Sequence, residues 1–104
     1  MMDVTRGAHG EVEIRIDGTF DAKAASRLAG WLVEVPAGSP LVLDFTQVRI
    51  CEDYGLAQVA KDLATRERLV VRGLTRHHER MLKYFGVDLD AVQVEPLGDH
   101  DALA

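Results

Sequence analysis

Two adjacent acids, Glu52 and Asp53, stand at the place in the sequence that is best suited to chemistry. They follow an apolar segment and precede apolar residues with helical spacing, so a helix begins here. The first N–H groups of a helix are unpaired and carry a partial positive charge, which favours an anion. Asp53 is a good N-cap for a helix that starts at Tyr54. The stretch is therefore interpreted as an anionic helix start that is open to a partner.

Gly55 falls within the first turn of this predicted helix. Glycine inside a helix costs about 1 kcal/mol relative to alanine, so it is an unfavourable choice unless space is short. The glycine therefore predicts that something approaches the helix backbone closely at this point.

Three acids, Asp44, Glu52 and Asp53, suggest a magnesium site like that of an aspartate-phosphorylated receiver domain. A receiver also needs paired acids after its first strand and a lysine after its fifth, and neither is visible. Asp44 is better explained as the end of a strand, and Asp53 as a helix cap. We therefore predict no metal site and no cofactor.

A thiol catalyst would pair Cys51 with His77 or His78, but nothing in the sequence places these residues together. A small buried cysteine and a histidine pair on a helix surface are the simpler interpretations. The isolated glycines near the N-terminus do not form a phosphate-binding loop. We expect no catalytic residues and no enzymatic activity.

The charge of the chain is distributed unevenly. The 104 residues carry a formal net charge of −5, and this length corresponds to one domain. Residues 61 to 83 hold seven basic and three acidic side chains, a net +4, which leaves −9 for the remainder. Two interpretations stay open: solvated helix faces, or a field that steers a charged partner.

Composition also excludes several classes of protein. The chain is acidic and its basic run has no interleaved aromatic residues, so we expect no nucleic-acid partner. It has no run of 18 apolar residues, so we expect no membrane insertion. A single cysteine, Cys51, cannot form an internal disulfide, which fits a reducing compartment, and we predict a cytoplasmic protein.

Apolar periodicity predicts the order β-β-α-β-α-β-α-β. Strands separated by helices pair in parallel through right-handed crossovers, whereas the first two strands form an antiparallel hairpin. The fold class is α/β, a mixed and mostly parallel sheet with three helices. The strands are predicted at 1–6, 11–17, 41–45, 69–74 and 91–94, and the helices at 22–34, 54–66 and 76–85.

Capping residues mark several ends of these elements. Asp21 and Thr75 are the expected N-caps of the first and third helices. Gly86 is expected to stop the third helix. Pro96 cannot donate to a strand ladder, so the last strand should end before it, and residues 96 to 104 should form a flexible tail.

The segment that runs from Leu41 to Leu56 resembles the STAS family, the domain of bacterial anti-sigma factor antagonists. The family signature is an apolar strand ending in Asp, a Val a few residues later, and then Asp-Ser-Ser-Gly-Leu at the start of a helix. Asp44, Val48, Gly55 and Leu56 match it by type and spacing. The order of patterns extends the resemblance over about residues 11 to 95, so the whole chain is identified as a single STAS-like domain.

Two departures from the signature concern its regulatory residues. Glu52 stands where the family has Asp, and Tyr54 replaces the second serine. Asp53 stands where the family has the serine that a partner kinase phosphorylates, so this position is a phosphorylation-site equivalent that cannot be phosphorylated.

The resemblance implies a protein that works by binding a serine-kinase anti-sigma factor, or another protein that binds STAS domains. The contact surface would combine the start of the second helix with the loop before the first. The expected contact residues are Thr19, Asp21, Arg49, Glu52, Asp53, Tyr54 and Leu56.

An alternative keeps the fold and changes the role. STAS domains also serve as fixed accessory subunits in stressosome-like scaffolds or with ATP-driven transporters. The absence of a serine at position 53 favours this alternative.

Overall fold

The structure is a computed structural model that describes residues 2–87 and 93–96. Within these residues, strands and helices follow the predicted order. The strands are β1 (Met2–Arg6), β2 (Val12–Phe20), β3 (Leu41–Cys51), β4 (Leu69–Leu74) and β5 (Gln93–Pro96), and the helices are α1 (Ala22–Glu34), α2 (Asp53–Ala64) and α3 (Arg76–Tyr84). No helix among the described residues is long and apolar enough to cross a membrane.

The described strands form one mixed sheet in the order β1-β2-β3-β4-β5. The β1–β2 pair is antiparallel, and the other pairs are parallel. This confirms the predicted α/β fold. Each new strand is added on the same side of the last, and crossovers are nearly always right-handed, so the three helices come to one face of the sheet.

The core lies between that face and the helices. Alternate residues of β2 are buried, as Val12, Ile14 and Ile16 show, while the residues between them are not. Phe20 and Phe45 meet edge to face in this core, with ring centroids 5.1 Å apart. No polar or charged residue among those described is fully buried, so the core is held by apolar packing.

The opposite face of the sheet carries a row of alternating charges. The strand register aligns Asp3, Arg15, Asp44 and Arg72 across β1 to β4. Asp3 and Arg15 form an ion pair at 2.8 Å, and Asp44 accepts hydrogen bonds from the backbone N–H and hydroxyl of Thr46 at 2.9 and 2.6 Å. Exposed pairs of this kind add little stability each. Opposite charges across neighbouring strands do favour this register over a shifted one.

The helix ends confirm three of the predicted signals. The Asp21 carboxylate accepts from the backbone N–H of Ala24 at 3.0 Å, which caps α1. The Thr75 hydroxyl oxygen accepts from the N–H of His78 at 3.3 Å, which caps α3. Gly86 has φ +98°, a left-handed conformation that glycine tolerates, and it ends α3 as expected.

Several element boundaries differ from the prediction. The third strand does not end at residue 45 but runs on to Cys51, so the predicted loop before α2 is strand. The last strand includes Pro96, which was expected to lie outside it. β5 is the edge strand, and proline is tolerated there because one side of an edge strand is unpaired. Residues 91, 92 and 97–104 of the predicted strand and tail lie outside the described residues.

Gly55 and Gly30 both lie within helices, and they offer a matched test of the predicted close approach. A Cβ atom at Gly55 would lie 2.9 Å from the carbonyl carbon and oxygen of Asp21, whereas one at Gly30 would meet nothing within 4 Å. Gly30→Ala should raise the free energy of unfolding by roughly 0.5–1 kcal/mol. Gly55→Ala should lower it by about 1–3 kcal/mol because the backbones must separate. Urea unfolding of both variants measures the difference, and equal stabilisation would contradict the packing constraint.

Candidate functional site

The candidate site begins where β2 and β3 end side by side. Thr19 pairs with Ile50, and Phe20 pairs with Cys51. The N–H of Glu52 donates to the carbonyl oxygen of Phe20 at 2.9 Å, which ties the start of α2 to the end of β2. The sheet therefore brings together two segments whose paired residues are 31 positions apart in the sequence. The predicted loop before α1 is strand, because β2 runs on to Phe20, directly before the N-cap Asp21.

Asp53 does not cap α2, contrary to the sequence prediction. It is the first residue of the helix, and the N-cap position belongs to Glu52, whose side chain makes no capping hydrogen bond. The helix begins one residue earlier because the N–H of Leu56 bonds to the carbonyl oxygen of Glu52 at 3.2 Å. The Asp53 carboxylate interacts instead with two histidines of α3.

Two histidines of α3 meet the Asp53 carboxylate. Nε2 of His77 lies 3.2 and 3.1 Å from the two carboxylate oxygens, and Nε2 of His78 lies 3.4 Å from Oδ1. The hydrogen bond from His77 lowers the pKa of Asp53, desolvation opposes this, and the charges of both imidazoles add to the lowering. Asp53 is therefore ionised across the neutral pH range.

Thr75 fixes the orientation of the second imidazole. Its hydroxyl lies 2.9 Å from Nδ1 of His78, which leaves Nε2 of that ring facing Asp53. The His78 side chain is 12% exposed, whereas that of His77 is 62% exposed. Sequence reasoning treated the two histidines as an ordinary surface pair. The predicted parallel pairing of β3 with β4 is the signal that could have revealed this contact, because the carboxyl ends of neighbouring parallel strands meet at one edge of the sheet.

The predicted contact residues occupy three kinds of position. Thr19, Asp21, Glu52 and Tyr54 are exposed or half-buried around the ends of β2 and β3. Arg49 is exposed and borders a cavity that His78 also lines. Leu56 is only 1% exposed. It packs in the core and does not belong to the contact surface, because the predicted helix face that carries it points inward.

An exposed apolar residue that the prediction missed belongs to the same region. The side chain of Ile50 is 58% exposed beside Thr19, and that of Tyr54 is 72% exposed. Ile50 was expected in a loop, but the extension of β3 places it in the sheet. We name this region the α2-start surface and define it by Thr19, Asp21, Arg49, Ile50, Glu52, Asp53 and Tyr54.

Cys51 lies behind this surface, at a cavity of about 160 Å³ that also contacts Thr75 and His78. Burial, with a smaller effect from the charge of Asp53, raises the pKa of the Cys51 thiol to about 11. The thiolate that a nucleophile needs is therefore scarce at neutral pH. This geometry gives no support to a thiol catalyst.

The three acids that suggested a magnesium site do not come together. Asp44 lies on the helix-free face of the sheet and bonds to Thr46. Among the described residues, the one group of three or more candidate metal ligands consists of Asp53, His77 and His78, with ligand atoms within 4.8 Å of one another.

The basic run at residues 61 to 83 is divided between separate places. Arg66 donates from its guanidinium to the carbonyl oxygens of Leu32, Val35 and Pro36 at 2.6 to 2.9 Å, and so satisfies the C-terminus of α1. Arg72 lies on the opposite sheet face, 3.9 Å from Glu13. The basic residues between positions 61 and 83 therefore do not form a single patch that could steer a charged partner.

Asp21 and Glu52 stand at the N-cap positions of α1 and α2, and only Asp21 makes a side-chain capping bond. Asp21→Ala should lower the free energy of unfolding by about 0.5–2 kcal/mol, and Asp21→Ser should restore most of it. Glu52→Ala should change it less, because no capping bond is lost. Thermal and urea unfolding of the three variants test this, and an equal loss in both alanine variants would contradict it.

Comparison with solved structures finds proteins of similar fold. The anti-sigma factor antagonist SpoIIAA in its unphosphorylated form superposes with a TM-score of 0.64 at 12% identity, over 81% of this chain and 83% of that one. An RsbS variant from Moorella thermoacetica, in which a serine is replaced by glutamate, gives 0.63 at 16% identity over 91% and 86%. At these identities the likeness concerns the fold.

A third structure, that of Mglu, matches with a TM-score of 0.54 at 20% identity, and the chain covers 20% of its length. No curated protein sequence matches the chain. A family model described as "Mlab, STAS domain" matches residues 4–95, which is most of the chain. The arrangement of β2, β3 and α2 and this match agree, and the chain belongs to the STAS domain family.

Proposed function

We propose that this STAS domain is a non-enzymatic regulator that binds a protein partner through the α2-start surface. The proposed partner is a serine-kinase anti-sigma factor in the cytoplasm, as for an anti-sigma factor antagonist. The likeness of the fold to SpoIIAA supports this role. The proposed regulator lacks the serine switch, because position 53 carries a carboxylate.

The observation that carries the proposal is the exposure of Ile50 and Tyr54 beside the acids of the α2 start. They are 58% and 72% exposed and flank Glu52 and Asp53. An exposed aromatic residue surrounded by polar groups is typical of the energetic centre of a protein interface. A contact that covers Tyr54 would also cover the two carboxylates, so partner binding depends on their charge.

A second candidate role is that of a fixed accessory subunit in a stressosome-like scaffold or an ATP-driven transporter. Asp53 favours it, because a carboxylate held by His77 and His78 gives this position a permanent charge rather than a switchable one. The same surface would serve both roles. Phosphorylation of an Asp53→Ser variant by a kinase distinguishes the anti-sigma factor antagonist from the accessory subunit.

The phosphorylation test uses the chain and its Asp53→Ser variant with ATP and a serine-kinase anti-sigma factor from the same genome. Intact mass should show no phosphate on the wild-type α2 start, because no serine is present there. If the kinase is the partner, Asp53→Ser should gain one phosphate, since it recreates a hydroxyl at the site. A phosphate on wild-type Tyr54 would contradict the proposal. An unmodified Asp53→Ser variant would favour the accessory role.

Two exposed tyrosines provide a matched test of the binding surface. Tyr54 lies on the α2-start surface, whereas Tyr84, 84% exposed, lies at the other end of α3 from the histidine pair. In calorimetric titration against the kinase, Tyr54→Ala should weaken binding about 30-fold, or ~2 kcal/mol, as for an interface hot spot. Tyr84→Ala should bind like wild type. Equal losses, or a loss in Tyr84→Ala alone, would move the interface elsewhere.

Asp53→Ser should also strengthen binding in the same titration. Asp53 adds a second negative charge beside Glu52 at the contact, and the substitution removes it. The expectation is that negative charge at the start of α2 opposes binding of the kinase, and equal affinity of wild type and Asp53→Ser would contradict it.

A further inference from the structure

We propose that Asp53, His77 and His78 form a site for a divalent transition-metal ion, Zn²⁺ above all, at the edge of the α2-start surface. The sequence alone predicted no metal. The proposal rests on the positions of three side chains from two helices, and it does not depend on the identity of the protein partner.

The donor set has the chemistry of a zinc site. Two imidazole nitrogens and one carboxylate oxygen are ligands that Zn²⁺ accepts readily, whereas Mg²⁺ and Ca²⁺ prefer oxygen alone. Three protein ligands with the fourth position open are the usual arrangement of a zinc ion that still binds water or another ligand. Asp53 and His77 are about 60% exposed, so an ion can enter from solvent.

The two distances between the Asp53 carboxylate and the imidazoles match edges of a coordination tetrahedron. Ligand atoms about 2.0–2.1 Å from a tetrahedral Zn²⁺ lie roughly 3.3 Å from one another. Oδ1 of Asp53 lies 3.2 Å from Nε2 of His77 and 3.4 Å from Nε2 of His78. All three ligand atoms lie within 4.8 Å of one another. Small rotations of two side chains can therefore place a metal ion between them.

The surroundings of His78 add an independent indication. Its Nδ1 lies 2.9 Å from the Thr75 hydroxyl. Metal-bound histidines commonly use their second ring nitrogen in this way, which orients the ring. This contact leaves Nε2 of His78 facing the Asp53 carboxylate at 3.4 Å, so two atoms that would bind an ion are already directed toward each other.

A bound ion would reverse the local charge. With neutral imidazoles, the cluster would change from one negative to one positive formal charge, because the ion adds two positive charges to the Asp53 carboxylate. The open coordination position could accept a carboxylate or imidazole from a partner.

Calorimetric titration of the chelator-treated full chain with ZnCl₂ tests the site. The sequence has four histidines, and His9 and His100 provide matched controls. Wild type, His9→Gln and His100→Gln should bind one Zn²⁺ per chain with the same affinity. Asp53→Asn and His77→Gln should each weaken binding at least about tenfold, since a ligand contributes no less than its supporting residues. Co²⁺ should give the visible absorption bands of a four-coordinate site in the first three proteins only.

A second pair of variants tests the supporting hydroxyl. Thr75→Val should weaken Zn²⁺ binding about 10- to 100-fold, and Thr75→Ser should retain wild-type affinity. Circular dichroism confirms that each variant is folded before titration. The proposal is overturned if wild type and His77→Gln bind Zn²⁺ equally, if His100→Gln loses the binding, or if Mg²⁺ competes with Zn²⁺ at equal concentration.

Discussion

The close approach of two helix starts is the constraint on which the site depends. The backbone of Asp21, at the start of α1, lies so near Gly55 in α2 that a side chain there would meet it at 2.9 Å. Because α1 and α2 follow β2 and β3 directly, this contact also fixes how the two strand ends lie together. Thr19, Ile50 and the acids at the start of α2 share one surface for this reason.

The next strand adds the second half of the site. β4 pairs in parallel with β3, so the turn into α3 leaves the sheet at the same edge as the turn into α2. Thr75 caps α3 and also holds the ring of His78, so one hydroxyl serves both the helix and the site. The imidazoles of His77 and His78, at the start of α3, then contact the Asp53 carboxylate at the start of α2. The site is thus assembled from the ends of three adjacent strands, where parallel sheets commonly place their ligands.

The sequence predicts the fold well because its signals are local and agree with one another. Asp21, Thr75 and Gly86 each act through a hydrogen bond or a dihedral angle of their own segment, and each behaves as expected. Gly55 is informative for another reason, since its unfavourable helix propensity marks a steric demand. The predictions that were wrong concern features that depend on how strands pair in the folded sheet. The extension of β3 to Cys51 is set by its pairing with β2, which no local pattern encodes.

Asp53 shows most clearly what local sequence patterns do not predict, namely contacts with a distant segment of the chain. A carboxylate at a helix start is well placed as a cap, and the acid is indeed favourable there. Yet its partners come from α3, 24 residues later, and they change what the residue presents to a binding protein. A phosphoserine at this position would project a larger, doubly charged group with three acceptor oxygens. The single charge of Asp53 is instead shared with two imidazoles. Asp53 therefore differs from a phosphoserine both in the charge that it carries and in the contacts that orient its carboxylate.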